Sequence, residues 1–141
     1  MLPAETERVW NFCKQQPALA GFVLVGGSAL ALQIGHRLSE DLDMAWAELR
    51  LPRVRLDTLR RAAGALDFDF QLQDDEATIQ EFTNAGLDLH DYHQNYLVNG
   101  KVRVSFFAPE PPLAKVLQSP PLPTVRVASL AELFNGSSIK N

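Results

Sequence analysis

The feature that most constrains the fold is a short apolar run that ends in two glycines and a serine. Residues 22–25 read Phe-Val-Leu-Val, and so short and fully apolar a run predicts a central strand buried on both faces. Gly26-Gly27-Ser28 follows, and residues 28–35, SALALQIG, are apolar almost all round, which predicts a short buried helix. A strand that passes through a glycine turn into a helix indicates a mixed α/β arrangement.

The rest of the chain alternates helical and extended patterns. Asn99-Gly100 lies between two alternating runs and is a strong hairpin signal, and Ser129 followed by Glu132 is a capping box that predicts a short final helix. The predicted order is helix, strand, helix, strand, helix, strand, helix, hairpin, strand and helix. This order predicts a mixed α/β or α+β domain with one sheet. Predicted helices are 3–16, 28–35, 54–66 (with Leu56, Leu59, Ala63 and Leu66 inside) and 75–85; predicted strands are 22–25, 42–47, 67–72 and 125–128.

Composition bounds the class of protein. The chain has 141 residues, 46% of them apolar, which predicts a single domain over 1–141 with a proline-rich loop at 109–123. A net charge of −4 argues against a general nucleic-acid coating protein.

Cys13 is the only cysteine, which excludes an intrachain disulfide, and we expect a core thiol. The N-terminus does not read as a secretory signal and no apolar run approaches the ~20 residues that span a bilayer, so we expect a cytoplasmic protein without a membrane partner.

Two short motifs together indicate phosphoryl or nucleotidyl transfer. Glycines at a strand-to-helix turn let the backbone approach a ligand, and the N–H groups at a helix start suit a phosphate. Asp41 and Asp43 lie two apart on a predicted strand and share a face, so their carboxylates repel unless a cation lies between them. Mg²⁺ is commonly held by one or two carboxylates plus substrate phosphates. Alone, each motif is more often a tight turn or a solvated strand end, whereas the pair supplies both parts of a transfer site.

Two further groups of residues carry less weight. His90 and His93 lie among acids, but histidines three apart on a strand point to opposite faces, so we do not predict a transition-metal site there. The arginines of 50–61 form the only basic concentration. They indicate a solvated helix face, or alternatively a contact for RNA or phosphate.

The order of these motifs resembles a known superfamily. Gly26-Gly27-Ser28 followed by Asp41-Leu42-Asp43 is similar to the DNA-polymerase-β-type nucleotidyltransferases. The longer string VGGSALALQIGHRLSEDLDMAW resembles one branch, the AbiEii-type nucleotidyltransferases, which comprises the toxin half of type IV toxin–antitoxin systems and their relatives. VNGKVRVSFF and VRVASLAEL also resemble family segments, so the resemblance covers residues 20–134. It implies a nucleotidyltransferase-type α/β (α+β) fold, with a small mixed, twisted sheet and helices packed mainly on one side.

The resemblance also implies a binding site for an NTP. Gly26, Gly27 and Ser28 are expected to bind its triphosphate. Arg37 belongs to the same motif and is expected to reach a phosphate as a bidentate donor. His36 is expected only to hold the turn.

By the same resemblance, Asp41 and Asp43 are the expected catalytic residues and bind Mg²⁺. The implied reaction is Mg²⁺-dependent transfer of a nucleoside monophosphate from an NTP to tRNA or to a protein. A cognate antitoxin is an implied partner.

The sequence departs from the family pattern in two places. Active relatives use a third carboxylate, expected here at Arg103 or Ser105, and neither is acidic. Asp69 is the best substitute by sequence, although a solvated strand face explains it more simply. The resemblance also implies catalytic helices after SLAEL, with a lysine that would fall near Ser137, and we expect this helix pair to be absent here.

These departures support an alternative function. The domain would then be catalytically inactive or partial, and would bind nucleotide or a partner protein without turnover. The surface that the expected helices would cover could instead support a homodimer. A purely structural interaction protein would leave both motifs unexplained.

Overall fold

The computed structural model describes residues 2–34, 41–108 and 124–133. Helices and strands follow each other in the predicted order, with two short 3-10 helices at Pro17–Leu19 and Leu89–Asp91, and residues 130–133 are helical. The helices are α1 (Ala4–Cys13), α2 (Gly26–Ile34), α3 (Arg53–Ala65) and α4 (Glu76–Asn84); the strands are β1 (Phe22–Val25), β2 (Leu42–Trp46), β3 (Phe70–Leu72), β4 (His93–Val98), β5 (Val102–Phe107) and β6 (Arg126–Val127).

The strands form one mixed sheet in the order β3-β4-β5-β2-β1-β6. Neighbouring strands are antiparallel except for the β1–β6 and β2–β5 pairs, which are parallel. The predicted fold class, a mixed α/β domain with a small mixed sheet, is therefore confirmed.

Both faces of the central strand β1 are buried. Phe22 and Leu24 join the large core cluster, which also takes in the buried faces of α1 and α3. Val23 and Val25 face the other way, into a smaller cluster with Ala45. The apolar strand predicted at 22–25 is confirmed, and most helical packing lies on the face of the larger cluster. This leaves the other face of the sheet only partly covered within the described residues.

The turn after α3 differs from the prediction. Leu66 was predicted to be inside but is 58% exposed, because the helix ends at Ala65. Asp67 has a φ of 64°, and the N–H of Phe68 donates to the carbonyl of Ala63 at 2.9 Å. This turn buries Phe68 in place of Leu66, and strand β3 consequently starts at Phe70 rather than at residue 67.

The predicted hairpin is confirmed. Asn99 and Gly100 have φ values of 54° and 66°, and the N–H of Lys101 donates to the carbonyl of Val98 at 3.0 Å. Two consecutive positive φ values match the right-handed twist of the flanking strands, which explains why Asn-Gly is favoured there.

The basic concentration at 50–61 is partly structural. Arg53 binds Asp88 at 2.7 Å and Asp91 at 3.3 Å. Arg55 donates to the carbonyl of Ala18 at 3.1 Å and lies over the ring of Trp46. These two arginines therefore tie α3 to neighbouring segments, which the interpretation as a solvated face missed.

Several predictions fall outside the described residues or concern features away from the sheet. His36, Arg37 and the proline-rich segment 109–123 lie outside the described residues. In the described ranges, no helix is both long and apolar enough to cross a membrane, and the cytoplasmic location stays a prediction.

Cys13 is fully buried, and burial raises the pKa of its thiol to about 12, so it is a core thiol and not a nucleophile.

The predicted capping box is present and includes an ion pair. The N–H of Glu132 donates to Ser129 Oγ at 3.2 Å, and the N–H of Ser129 donates to Glu132 Oε1 at 3.1 Å. Arg126, on the edge strand β6, donates to both oxygens of the same carboxylate at 2.6 and 2.7 Å. Each side chain of this pair is only 13% exposed. The Arg126 hydrogen bonds hold the pKa of Glu132 below its ordinary value of 4.5.

We expect Glu132→Gln to lower the free energy of unfolding by about 1.5 kcal/mol at neutral pH, because a buried charge-assisted pair is lost. Since the folded pKa of Glu132 is lowered, the stabilisation is present above 4.5 and disappears as the pH falls through the folded pKa. Urea unfolding of both proteins across that range measures this. Glu81→Gln, on the exposed side of α4, is the control and should change nothing. A difference between wild type and Glu132→Gln that persists undiminished in acid would contradict the assignment.

Candidate functional site

The two motifs meet at one end of the sheet. Strands β1 and β2 are antiparallel neighbours, and Val25, the last residue of β1, pairs in register with Asp43. Helix α2 begins at the next residue, Gly26, two positions earlier than predicted. The N-terminus of α2 therefore lies beside the strand that carries the two aspartates.

Gly26 is in direct contact with the Asp43 carboxylate. Its φ is +71°, and a Cβ atom at this position would lie 2.8 Å from Asp43 Oδ2. Both the conformation and the space require glycine, because L side chains rarely adopt this φ and the carboxylate occupies the place of the side chain. The glycine turn thus allows the start of α2 to lie close to the Asp43 carboxylate.

Ser28 forms a second link between the motifs. Its side chain is almost fully buried, and its hydroxyl donates to the backbone carbonyl of Asp41. Asp41 itself is exposed just before β2, whereas Asp43 is half-buried. In this structure the Ser28 hydroxyl positions the segment that carries Asp41, so it would have to rotate in order to bind a phosphate.

The opposite face of β2 anchors the site in the core. Leu42, Met44 and Trp46 alternate with Asp43 and belong to the large cluster, as predicted. The position of Asp43 is therefore fixed by packing on the other side of the same strand.

Ser105 occupies the position on the neighbouring strand that faces the site. Strands β2 and β5 are parallel, and Ser105 pairs in register with Asp43. Arg103 lies two residues earlier on the same face and is exposed. Asp69, the substitute acid suggested by the sequence, precedes β3 at the sheet edge, three strands from β2. At about 4.8 Å per strand this is about 14 Å from β2, so Asp69 does not lie beside Asp43.

Polar groups continue across the same face from Ser105. The hydroxyl of Ser105 donates to Asn95 Oδ1 at 2.9 Å, and Asn95 pairs with Ser105 in register on β4. The backbone N–H of Asn95 donates to Asp74 Oδ2 at 3.1 Å, and Asp74 Oδ1 lies 2.9 Å from His93 Nδ1. The Asp74 side chain is only 4% exposed. We call Ser105, Asn95, Asp74 and His93 the polar row.

The polar row contains residues that sequence reasoning missed. Nothing in the sequence distinguished Asp74 or Asn95 from other surface polar residues. The prediction that His90 and His93 point apart was wrong, because His90 belongs to the 3-10 helix that precedes the strand. Its Nε2 lies 3.4 Å from Asp74 Oδ2, so both imidazoles approach one carboxylate.

The fit of Mg²⁺ to this site depends on the oxygen ligands that the chain supplies. Among the residues that the structure describes, no three His, Cys, Asp or Glu side chains form a group that could hold a metal ion. Mg²⁺ needs only one or two protein carboxylates when substrate phosphates supply further oxygens. Asp43, beside the start of α2, and the exposed Asp41, just before β2, supply two carboxylates and so fit that requirement.

Comparison with known proteins adds a family and a fold. The family model described as "Nucleotidyl transferase AbiEii toxin, Type IV TA system" matches residues 13–135. No curated protein matches the sequence. Among solved structures, the fold is similar to the crystal structure of JHP933 from Helicobacter pylori, with a TM-score of 0.51 and 16% sequence identity. That match covers 96% of this chain but 56% of the JHP933 chain, so the present chain spans little more than half of that protein.

Proposed function

This chain belongs to the AbiEii nucleotidyl transferase toxin family, and from this membership we propose that it transfers a nucleoside monophosphate from an NTP to an acceptor. The observation that carries the proposal is the contact between the glycine turn and the Asp43 carboxylate. It brings a candidate phosphate-binding helix start next to a candidate metal ligand, and these are the two parts that nucleotidyl transfer needs.

The phosphate-binding part is proposed at the start of α2. The first N–H groups of a helix have no intrahelical partner, and the partial positive charge there favours an anion. Gly26 and Gly27 allow the triphosphate to approach this backbone closely. Ser28 is proposed to add its hydroxyl after leaving the Asp41 carbonyl, and Arg37 is proposed as a further phosphate contact.

Asp41 and Asp43 would hold the Mg²⁺. When bound, the ion neutralises negative charge that develops on the phosphates during transfer. In the reaction, the acceptor oxygen forms a bond to the α-phosphorus and the bond to the departing pyrophosphate breaks. The chain's own part is to hold the triphosphate and to orient both groups, since positioning supplies most of the catalysis in this chemistry.

The proposed partners follow from the family. We propose tRNA or a protein as acceptor. A cognate antitoxin is a proposed partner, because the family is described as part of a toxin–antitoxin system. A homodimer is a further proposal.

One observation favours a second function, in which the domain binds nucleotide or a partner protein without turnover. Ser105 pairs with Asp43 at the strand position where an additional acid was expected. A site with two carboxylates would still attract a metal-bound triphosphate, but catalysis would lack one charged group.

Calorimetric titration of each NTP, with Mg²⁺ and then with EDTA in its place, tests the proposal. We expect saturable binding of at least one NTP that requires Mg²⁺. Incubation with the α-labelled NTP then separates the two functions, because only an enzyme releases pyrophosphate and transfers the label. Absence of binding to every NTP would reject nucleotidyl transfer and nucleotide binding, and would leave only the binding of a partner protein.

A further inference from the structure

The acceptor side of the proposed site can be located from the sheet order. Within the sheet, β1 and the start of α2 lie on one side of β2, whereas β5 and β4 lie on the other. This inference rests on the proposed function, which puts the triphosphate at the α2 start. In phosphoryl transfer the attacking and leaving oxygens lie roughly in line with the phosphorus between them. If pyrophosphate leaves on the β1 side, the acceptor must approach from the side of β5.

The polar row lies on that side and on the same face as Asp43. Ser105 is in register with Asp43 on the adjacent strand, and Asn95 is in register with Ser105 one strand further. At about 4.8 Å per strand, Asn95 is about 10 Å from Asp43. His93 is two residues along β4, on the same face. Ser105, Asn95 and His93 are half-buried, so a substrate can reach them, whereas the Asp74 side chain beneath them is buried.

The hydrogen bonds of the row orient its groups for an incoming hydroxyl. The proton of the Ser105 hydroxyl is donated to Asn95 Oδ1, so the Ser105 oxygen has lone pairs available as acceptor. The buried Asp74 carboxylate can only accept, which favours the His93 tautomer with a proton on Nδ1 and leaves Nε2 as an acceptor. The His93 side chain is 39% exposed. Ser105 and His93, at the two ends of the polar row, therefore each offer a hydrogen-bond acceptor atom on an accessible face.

We infer that the acceptor binds over β5 and β4, with its attacking hydroxyl hydrogen-bonded to Ser105 and its adjoining polar groups to His93. Asn95 and Asp74 are positioning residues that hold these two side chains. The acceptor oxygen bonds to the α-phosphorus, its proton passes to water, and the electron pair of the broken bond leaves with pyrophosphate. Ser105 thus orients the hydroxyl at a position where a carboxylate was expected.

Ser105→Ala and His93→Gln test this inference. The assay uses an α-labelled NTP with Mg²⁺ and either pooled tRNA or water as acceptor; attack by water is measured as release of nucleoside monophosphate and pyrophosphate. We expect each variant to lower the transfer rate about tenfold, as loss of one hydrogen bond in the reacting state implies, and to raise the KM of the tRNA. The dissociation constant for binding of Mg·NTP to the protein should stay within about twofold of the wild-type value, since neither variant removes a group that is proposed to contact the nucleotide.

Two controls distinguish a contact with the acceptor from a structural effect. His90→Gln removes the other imidazole near Asp74, but His90 lies outside the strand, so transfer should be unchanged. Gln71→Ala removes an exposed polar group of the edge strand β3 and should also leave transfer unchanged. Circular dichroism establishes that every variant is folded.

The following outcomes would reject the inference. Unchanged transfer in both variants, an equal loss in His90→Gln, or weakened Mg·NTP binding in Ser105→Ala would each overturn it while leaving the proposed function in place. If wild type binds Mg·NTP but transfers the label to neither acceptor, the inference fails, and label transfer to added protein then separates a protein acceptor from the non-catalytic function. If wild type binds no NTP at all, the proposed function itself fails.

Discussion

Asp43→Asn should lower nucleotidyl transfer by about 10²–10³-fold, the range that loss of one preorganised charge-stabilising group costs an enzyme. The substitution keeps the size of the side chain but removes the negative charge next to the start of α2. Mg²⁺-dependent NTP binding should weaken with it, because amide oxygens are poorer ligands than carboxylates for a hard cation. The measurements are the rate of label transfer and the calorimetric titration of Mg·NTP.

Asp69→Asn is the matched control for this prediction. Asp69 was the acid that the sequence suggested as a third ligand, yet it lies three strands away from β2. The same chemical change there should leave both transfer and Mg·NTP binding unchanged. Equal losses in the two variants, or normal transfer in Asp43→Asn, would contradict the assignment of the site.

Gly26→Ala should abolish Mg·NTP binding and also destabilise the fold. An alanine at a φ of +71° costs about 1–3 kcal/mol in backbone strain. Its Cβ would also lie 2.8 Å from Asp43 Oδ2, so the carboxylate must move. A displacement near 1 Å can reduce catalysis about 10²-fold, and we expect at least that loss in transfer. Urea unfolding and the titration of Mg·NTP measure the two effects separately.

Gly100→Ala is the control that separates the effect of backbone strain from the effect of the clash with Asp43. Gly100 has a φ of +66°, but nothing lies within 4 Å of a Cβ built there. This variant should lose comparable stability while keeping normal NTP binding and transfer. If Gly26→Ala retained full NTP binding, the contact with Asp43 would not be the feature on which the site depends.

Local elements of the fold were predictable because their signals are short-range. The full apolarity of 22–25 indicated a strand buried on both faces, and the positive φ values of Asn99 and Gly100 follow from the residue types themselves. The capping box of Ser129 and Glu132 is likewise a contact between residues three apart. In each case the favourable interaction is complete within one turn of chain.

Boundaries were less predictable where a tertiary contact competes with a local pattern. Helical spacing placed Leu66 inside, but the core was filled instead by Phe68, whose ring stacks on Phe12 with centroids 4.8 Å apart. The larger aromatic side chain buries more apolar surface, so the chain turns at Asp67 to bring it in. The helical periodicity of the sequence contains no information about this competition between Leu66 and Phe68 for the core.

The same distinction between local signals and tertiary contacts applies to the candidate site. Its components, a glycine turn after a buried strand and two aspartates at the next strand, are identified by residue type and spacing alone. Three contacts follow from the folded sheet and not from the sequence. Gly26 lies next to the Asp43 carboxylate, Ser105 pairs with Asp43, and Asp74 lies between two histidines. Strand order and register depend on pairings between distant segments, and alternation with a period of two is compatible with many registers. The choice among them is made by the packing energy of the whole sheet, which no local pattern contains.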